Sequence, residues 1–231
     1  MLFIHGATAS GTFEWARLAD ALSAEHRCVL PDLRGHGHSP MPPEPITTEA
    51  ICADLRALCA ELAVEHPHVV GFSFGAETAL WLELTDPGFA RSLTLISPGT
   101  GRPADYRMPS ITWMEKGWPP RLRALHEEVH GPEHWRVLLR ALQDDSATRS
   151  ELPVERLASV RCPVLLVSGE NDEPTRRTQA HRFADANAGA RLAVVAEASH
   201  PVHHERPTAV HALVGEFLAD VDRRGADDGS R

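Results

Sequence analysis

The amino-acid sequence predicts an α/β protein built on a mostly parallel sheet with helices on both of its faces. Short apolar runs alternate along the 231 residues with longer stretches of helical spacing, an alternation typical of parallel strand–helix–strand units. Residues 93–96 and 164–167 are almost continuously apolar, as expected for strands that are covered on both sides. A single domain of this length can bury a sizeable core.

The strands are expected at the short apolar runs, which are bounded by turn residues: 2–4, 27–30, 68–70, 92–96, 163–167 and 192–195. The helices are expected between them, where apolar residues recur at helical spacing: 12–24, 47–62, 76–85 and 207–221. In the first of these helices Trp15, Leu18 and Leu22 share one face. The polar, glycine-containing tail 223–231 is predicted to be disordered.

Residues 99–153 interrupt this alternation and are predicted to form a small helical cap over the carboxyl edge of the sheet. The rest of the chain, residues 1–98 and 154–222, would form the core. The cap segment holds three of the five tryptophans and has no clear strand pattern. Trp113, Met114 and Trp118 are candidates for lining a substrate pocket, because apolar and aromatic side chains line most small-molecule sites. The same side chains would equally suit ordinary packing of the cap.

Composition argues against several classes of function. A net charge of −9 leaves no basic surface to neutralise phosphates, so no nucleic-acid partner is expected. No apolar run is long enough to cross a bilayer and no secretory signal is visible, which favours a cytoplasmic protein without a membrane partner. The four cysteines form no metal-binding pair and are interpreted as buried thiols, so neither a metal nor another cofactor is expected. Because the chain has 14 histidines, composition alone does not exclude a zinc site. The sequence does not indicate the oligomeric state.

The strongest signal for chemistry is the sequence Gly-Phe-Ser-Phe-Gly at residues 71–75, between a predicted strand and a predicted helix. A serine on such a tight turn presents its hydroxyl at the sheet edge, and the flanking glycines make room for the turn. The helix that follows directs backbone N–H groups towards developing negative charge. Ser73 is therefore the candidate nucleophile. The alternative is a plain glycine-rich turn in which Ser73 caps the helix.

A serine hydroxyl needs a base, and the base needs a carboxylate that fixes its tautomer. Asp172 follows the strong strand at 163–167, and His200 follows the last strand. Both would lie at the carboxyl ends of parallel strands, the edge where Ser73 emerges and where open α/β sheets place their sites. The chain order Ser, Asp, His is the one expected of a nucleophile elbow. The alternatives nearby are Glu170 and Glu173 for the acid, and His203 and His204 for the base.

The sequence His-Gly-Ala-Thr at residues 5–8 directly follows the first strand. A backbone N–H in this loop, that of Ala7, can face the same pocket and form an oxyanion hole with the N–H of Phe74. His5 is interpreted as a structural residue of the loop. Glu77, one turn into the helix after Ser73, is interpreted as part of a solvated or hydrogen-bonded face.

Together these residues resemble the α/β-hydrolase fold family through most of the chain. The resemblance is carried by the His-Gly pair, Trp15, the loop 31–39, the elbow 71–75, the segment 169–172, and residues 199–200 followed by 205–207. It implies that fold, a serine–histidine–aspartate triad, and a structural role for Asp32, Arg34 and Gly35. Family members usually carry an antiparallel hairpin before the His-Gly strand. This chain starts inside that strand, so either the coding start lies upstream or the sheet lacks its first two strands.

Ser73 narrows the chemistry that the resemblance implies, because members that form alkyl-enzyme intermediates need aspartate at this position and dienelactone hydrolases use cysteine. The first hypothesis is a serine hydrolase that acts on a small ester, thioester or lactone through an acyl-enzyme. The second is a lyase or cyclase that performs elimination or carbon–carbon bond chemistry on a specialised metabolite with the same triad. The third is a non-catalytic binding module on this fold, and the intact triad argues against it.

Overall fold

The computed structural model describes residues 1–104 and 120–228. Five strands lie side by side in chain order, and every neighbouring pair is parallel. They are β1 (Leu2–Ile4), β2 (His68–Phe72), β3 (Ser92–Ile96), β4 (Val164–Gly169) and β5 (Ala190–Val195). The predicted parallel α/β sheet is therefore confirmed, and no antiparallel strand occurs among the five strands of the described residues.

Nine helices in the described ranges connect and cover these strands. They are α1 (Gly11–Leu22), α2 (Thr48–Glu61), α3 (Phe74–Thr85), α4 (Pro120–His130), α5 (His134–Ala147), α6 (Val154–Ala158), α7 (Pro174–Ala186), α8 (Val202–Glu205) and α9 (Pro207–Asp228). Side-chain caps fix two of the starts. The Ser10 hydroxyl accepts a hydrogen bond from the Phe13 N–H at 3.3 Å, and the Thr47 hydroxyl accepts one from the Ala50 N–H at 3.1 Å.

Each strand contributes alternate side chains to two apolar layers, one on either face of the sheet. In β1, Leu2 and Ile4 join the layer that α2, α3 and α7 cover, whereas Phe3 joins the layer that α1 and α9 cover. In β4, Leu166 and Val167 divide between the two layers in the same way. Burial on both faces explains why the strand sequences are almost continuously apolar.

Two predicted elements differ from the structure. The predicted strand 27–30 is reduced to a single parallel bridge between Val29 and Leu2, because Pro31 follows at once and stops the ladder. The predicted disordered tail is helical as far as Asp228, since α9 continues past its last buried apolar residue, Val221. Arginine has a high helix propensity, and Arg223 forms an ion pair with the preceding turn of α9, so local effects sustain the helix there. Residues 229–231 lie outside the described part of the chain.

The second half of the predicted cap packs directly on the core. Leu138 and Leu142 of α5 belong to the same apolar layer as Leu33 and Ile51, and Trp135 is fully buried. The predicted pocket residues Trp113, Met114 and Trp118 lie outside the described residues, so their placement stays a prediction.

Two histidines connect α4 and α5 with the loops beside the sheet, and one of them, His126, is buried. The His126 Nε2 lies 3.0 Å from the Thr8 carbonyl oxygen, and the His134 Nε2 lies 2.8 Å from that of Gly35. The buried His36 lies beside His126, with the two ring centres 5.8 Å apart. Burial, which disfavours the imidazolium, lowers the pKa of His126 and lowers the pKa of His36 well below its ordinary value.

We expect stability to fall when the pH is lowered from 7.5 to 5.5. His5, His36 and His126 have a lowered pKa in the folded protein, so the unfolded chain takes up protons first as the pH falls through about 6.5. Their contribution is therefore complete above that pH and is lost below it. Calorimetry should record a Tm lower on the order of 5–10 °C at pH 5.5. An unchanged Tm would show that these rings are already protonated in the fold.

Candidate active site

Ser73 occupies a strained turn between β2, which ends at Phe72, and α3, which begins at Phe74. Its φ is 53° and its ψ is −113°, a conformation that residues other than glycine rarely adopt. The neighbouring glycines are required by close approach. A Cβ on Gly75 would lie 2.1 Å from the Ile4 carbonyl oxygen, and one on Gly71 would lie 2.4 Å from that of Gly75. The turn therefore holds a serine where the backbone favours a glycine, as a nucleophile elbow does.

We expect Ser73→Gly to be more stable than Ser73→Ala by about 1 kcal/mol. Both variants lack the hydroxyl, but only glycine adopts the positive φ without strain. Thermal unfolding of the two variants should place the Tm of the glycine variant about 2–4 °C higher. Equal or reversed Tm values would mean that the turn stores no strain at this position.

The structure brings Ser73, His200 and Asp172 together in one chain of hydrogen bonds. The His200 Nε2 lies 2.9 Å from the Ser73 Oγ, and the His200 Nδ1 lies 2.9 Å from the Asp172 Oδ1. Asp172 follows β4 and His200 follows β5, so the carboxyl ends of three strands supply the three groups. The Asp172 side chain is fully buried, whereas the His200 side chain is one-third exposed, at 33%.

The hydrogen bonds determine which nitrogen of His200 carries its proton. Asp172 is acceptor-only when ionised, so the His200 Nδ1–H donates to it and the Nε2 lone pair faces the Ser73 hydroxyl. Burial raises the pKa of Asp172, but hydrogen bonds from His200 and from the Glu173 N–H, at 2.7 Å, outweigh it and leave the pKa below its ordinary value. The carboxylate is therefore charged at neutral pH. Of the alternative acids, Glu170 accepts from the Glu197 N–H at 2.9 Å, and the Glu173 carboxylate lies 3.6 Å from Arg176.

Ser97 is a contributor that the sequence did not single out. It directly follows β3, has a positive φ of 48°, and donates from its hydroxyl to the His200 carbonyl oxygen at 2.7 Å. The bond fixes the backbone that carries His200. A serine directly after a buried strand was the available signal, but its partner lies 103 residues away.

The loop after β1 is shaped by His5. The Leu33 N–H donates to the His5 Nε2 at 3.0 Å, so the His5 Nδ1 carries the proton and donates to the Gly6 carbonyl oxygen at 2.8 Å. The carbonyl and the N–H of one trans peptide group point in opposite directions, so the Ala7 N–H is directed away from His5. Among the described residues no backbone acceptor bonds to the N–H of Ala7 or of Phe74. These two N–H groups are therefore the candidate donors to a ligand oxygen.

A second buried network lies beside this loop. Glu14 accepts hydrogen bonds from the Nε2 of His203 at 2.7 Å and of His204 at 2.5 Å, and its other oxygen accepts from the Gly6 N–H at 3.2 Å. The two histidines are the alternative candidates for the base, and in the structure both bond to Glu14. Sequence reasoning missed Glu14, because its histidine partners lie 189 and 190 residues away.

The Glu14, His203 and His204 group is the one cluster within the described residues whose ligand atoms could hold a metal ion, all lying within 4.8 Å of one another. Ligands of a tetrahedral zinc ion would be separated by about 3.4 Å, since each lies about 2.1 Å from the metal. The two nitrogen–oxygen distances to Glu14 are instead those of hydrogen bonds. The geometry thus fits a hydrogen-bonded carboxylate better than a metal centre.

Glu77 lies one turn after Ser73 and is buried instead of solvated, at 6% exposure. Its carboxylate lies 3.3 Å from Arg102 and 3.5 Å from Arg176. Burial raises the pKa of Glu77, but these arginines outweigh the effect and lower it. Arg176 also donates to the Ser97 carbonyl oxygen at 3.1 Å. The elbow helix is thereby attached to the first residues of the cap segment and to α7.

Comparison with known proteins agrees with this arrangement. The sequence profile of the alpha/beta hydrolase family matches residues 1–213. The chain is 24% identical to 3-oxoadipate enol-lactonase 1 of Acinetobacter baylyi over 236 residues, which cover 90% of this chain and 84% of that protein. In fold it resembles the enol-lactonase from Burkholderia xenovorans LB400, with a TM-score of 0.75 at 22% identity over 94% of this chain and 90% of the other. A thermophilic esterase from Thermogutta terrifontis gives a TM-score of 0.78 at 22% identity, over 95% and 89%.

A buried parallel sheet, a strained serine at a strand-to-helix turn and a match over nearly the whole chain define one class of enzyme. The chain belongs to the alpha/beta hydrolase family. No helix of the described residues has the length and apolar character needed to span a membrane.

Proposed function

We propose that the protein is a serine hydrolase that cleaves a small ester, thioester or lactone through an acyl-enzyme. The observation that carries the proposal is the unbroken hydrogen-bond chain from Asp172 through His200 to Ser73. These hydrogen bonds join the Asp172 carboxylate, the His200 ring with its Nε2 lone pair towards the nucleophile, and the Ser73 hydroxyl on its strained turn.

In the acylation step, the His200 Nε2 takes the proton of Ser73 while Oγ attacks the carbonyl carbon. The N–H groups of Ala7 and Phe74 donate to the oxyanion that forms. The bond to the leaving oxygen or sulfur then breaks, and His200 gives the proton to that atom. Asp172 stabilises the imidazolium between these two events.

In the second step, water replaces the leaving group. His200 takes a proton from the water, whose oxygen attacks the acyl carbon, and the tetrahedral intermediate again places its negative oxygen on the two N–H groups. Ser73 leaves with the proton from His200, and the acid is released. All the groups that this reaction needs are side chains or backbone of the protein, so the proposal includes no cofactor.

The chemistry of the site and the activities for which its relatives are named, those of an enol-lactonase and an esterase, support this substrate class. Both names describe enzymes that cleave an acyl–oxygen bond. We also propose a cytoplasmic location. All four cysteines are free thiols, as is usual in a reducing compartment.

Intact-mass analysis after reaction with a fluorophosphonate tests the nucleophile. Attack by Ser73 on phosphorus expels fluoride, so one molecule of wild-type protein should gain one phosphonyl group. Turnover of p-nitrophenyl acetate, a thioester and a lactone then tests the reaction. No adduct on the folded protein would refute an activated serine. An adduct without hydrolysis of any of these substrates would favour a lyase or cyclase that uses the same triad.

A further inference from the structure

We propose that Glu14 is a positioning residue for this hydrolysis, because one carboxylate holds both the oxyanion-hole loop and the segment that follows His200. The inference rests on the proposed function. It assigns a role to a residue of α1 that does not belong to the Ser73, His200 and Asp172 triad and that lies on a different element.

The first contact of Glu14 is with the oxyanion-hole loop. The Gly6 N–H donates to the Glu14 Oε2 at 3.2 Å, while the Gly6 carbonyl oxygen accepts from the His5 Nδ1 at 2.8 Å. Both peptide groups of Gly6 are thereby held, and the second of them carries the Ala7 N–H. A Cβ on Gly6 would lie 2.9 Å from the Phe72 ring and 3.3 Å from the Glu14 Oε2, so the loop also packs tightly at this point. Loss of the carboxylate would release the peptide that precedes the proposed oxyanion donor.

The second contact of Glu14 is with α8, the short helix that begins two residues after His200. Its consecutive residues His203 and His204 both direct Nε2 to the Glu14 Oε1. The Phe72 ring joins this helix to the base, since its centre lies 4.4 Å from that of His203 and 5.1 Å from that of His200. The Trp15 ring stacks on the His203 ring, with their centres 5.1 Å apart. The hydrogen bonds of Glu14 thus limit how far the segment carrying His200 can move.

The burial of the Glu14 carboxylate indicates that its hydrogen bonds orient the groups around it. Glu14 is 7% exposed and lies against the layer formed by Trp15 and Phe72, where an apolar side chain would also pack. A buried carboxylate is unfavourable unless each of its oxygens is hydrogen-bonded, and here both are. Burial raises the pKa of Glu14, but the hydrogen bonds from His203 and His204 outweigh it and lower the pKa to about 2. The acceptor is therefore ionised at every pH at which the triad would act.

Two variants and one matched control test the role. Glu14→Leu removes every hydrogen bond of the carboxylate, whereas Glu14→Gln keeps the size but has a single acceptor oxygen for the Gly6 N–H and the two histidines. Glu83→Gln is the control, because Glu83 is also a buried carboxylate, 3% exposed, that accepts from two backbone N–H groups at 2.9 Å. Its partners, Gly88 and Ala90, follow the far end of α3.

The expected result is a loss in kcat for p-nitrophenyl acetate of about a hundredfold in Glu14→Leu and about tenfold in Glu14→Gln, with KM unchanged within about twofold. The fluorophosphonate labelling rate should fall in parallel. Glu83→Gln should keep the wild-type kcat and labelling rate even where its Tm is lowered. The difference in kcat between the Glu14 variants and Glu83→Gln separates a positioning role from a general loss of stability. A general loss of stability would lower the Tm of all three variants and leave kcat per folded molecule unchanged.

Three results would overturn the inference. Wild-type kcat in folded Glu14→Gln or Glu14→Leu would show that the hydrogen bonds of Glu14 do not orient the site. A rise in KM with unchanged kcat would place the residue in substrate binding. A zinc-dependent kcat in the wild type that Glu14→Gln loses would make metal ligation its role. These outcomes differ from failure of the proposed function, in which the wild type itself takes no phosphonyl group and the inference falls with it.

Discussion

Replacing Ser73 by alanine is expected to lower kcat for ester hydrolysis by about a million-fold. The variant removes Ser73 Oγ, the atom that forms the acyl-enzyme bond. A water molecule in its place would not be held by the strained turn. The remaining acceleration would come from the N–H groups of Ala7 and Phe74 and from substrate binding. Steady-state assays with p-nitrophenyl acetate at high enzyme concentration, together with intact-mass analysis after fluorophosphonate treatment, measure both effects.

The matched control for this variant is an exposed serine outside the site. Ser23 follows α1 and donates only to the Asp20 carbonyl oxygen, so Ser23→Ala should keep the wild-type rate and the adduct. Ser73→Ala with more than about one-hundredth of the wild-type kcat would be incompatible with a serine acyl-enzyme. An adduct that persists in Ser73→Ala would place the reactive group elsewhere in the chain.

Replacing Asp172 by asparagine is expected to lower kcat about ten-thousandfold with little change in fold. An asparagine amide that donates to the His200 Nδ1 forces the ring proton onto Nε2, which then cannot accept the proton of Ser73. The loss should therefore appear in kcat and in the labelling rate, because both need the hydroxyl to be deprotonated. Activity assays and labelling kinetics across pH 6–9 are the measurements, since a rising hydroxide concentration should restore part of the rate.

Glu173→Gln is the control that separates the triad acid from a general effect of charge. Glu173 is the next residue in the chain and its side chain is 53% exposed, so the substitution removes one negative charge from the same loop. It should leave kcat within about twofold of the wild type. Equal losses in Asp172→Asn and Glu173→Gln would indicate that the loop acts through its overall charge, and the assignment of Asp172 would be wrong.

The sheet and the order of the triad could be predicted from the sequence because both depend on local patterns. Apolar runs with turn residues at each end marked all five strands, and the carboxyl ends of parallel strands meet at one edge whatever connects them. The Gly-Phe-Ser-Phe-Gly turn, with Asp172 and His200 each following a strand, therefore indicated which three groups would meet. Their separations of 2.9 Å are found in the structure.

The elements that differed from the prediction depend on effects beyond local pattern. Residues 27–30 have the composition of a strand, but only Val29 finds a partner before Pro31 stops the ladder. The residues after Val221 have the composition of a disordered tail, yet they extend a helix that has already been nucleated by its packed first half. The placement of the cap tryptophans and of the domain boundaries at 98 and 153 stays a prediction.

Local sequence patterns predict the α/β class, the strained serine turn, and the pairing of Ser73 with an acid and a base that follow later strands. Periodicity marks each strand within a few residues, and chain order then identifies which groups follow strands whose carboxyl ends meet at one edge. The partners of the buried charges could not be predicted in this way, because they depend on tertiary packing. Glu14 with His203 and His204, and Glu77 with Arg102 and Arg176, are pairs separated by up to 190 residues. A buried carboxylate is stable only beside its donors, and which donors reach it depends on the packing of α1, α3, α7 and α8.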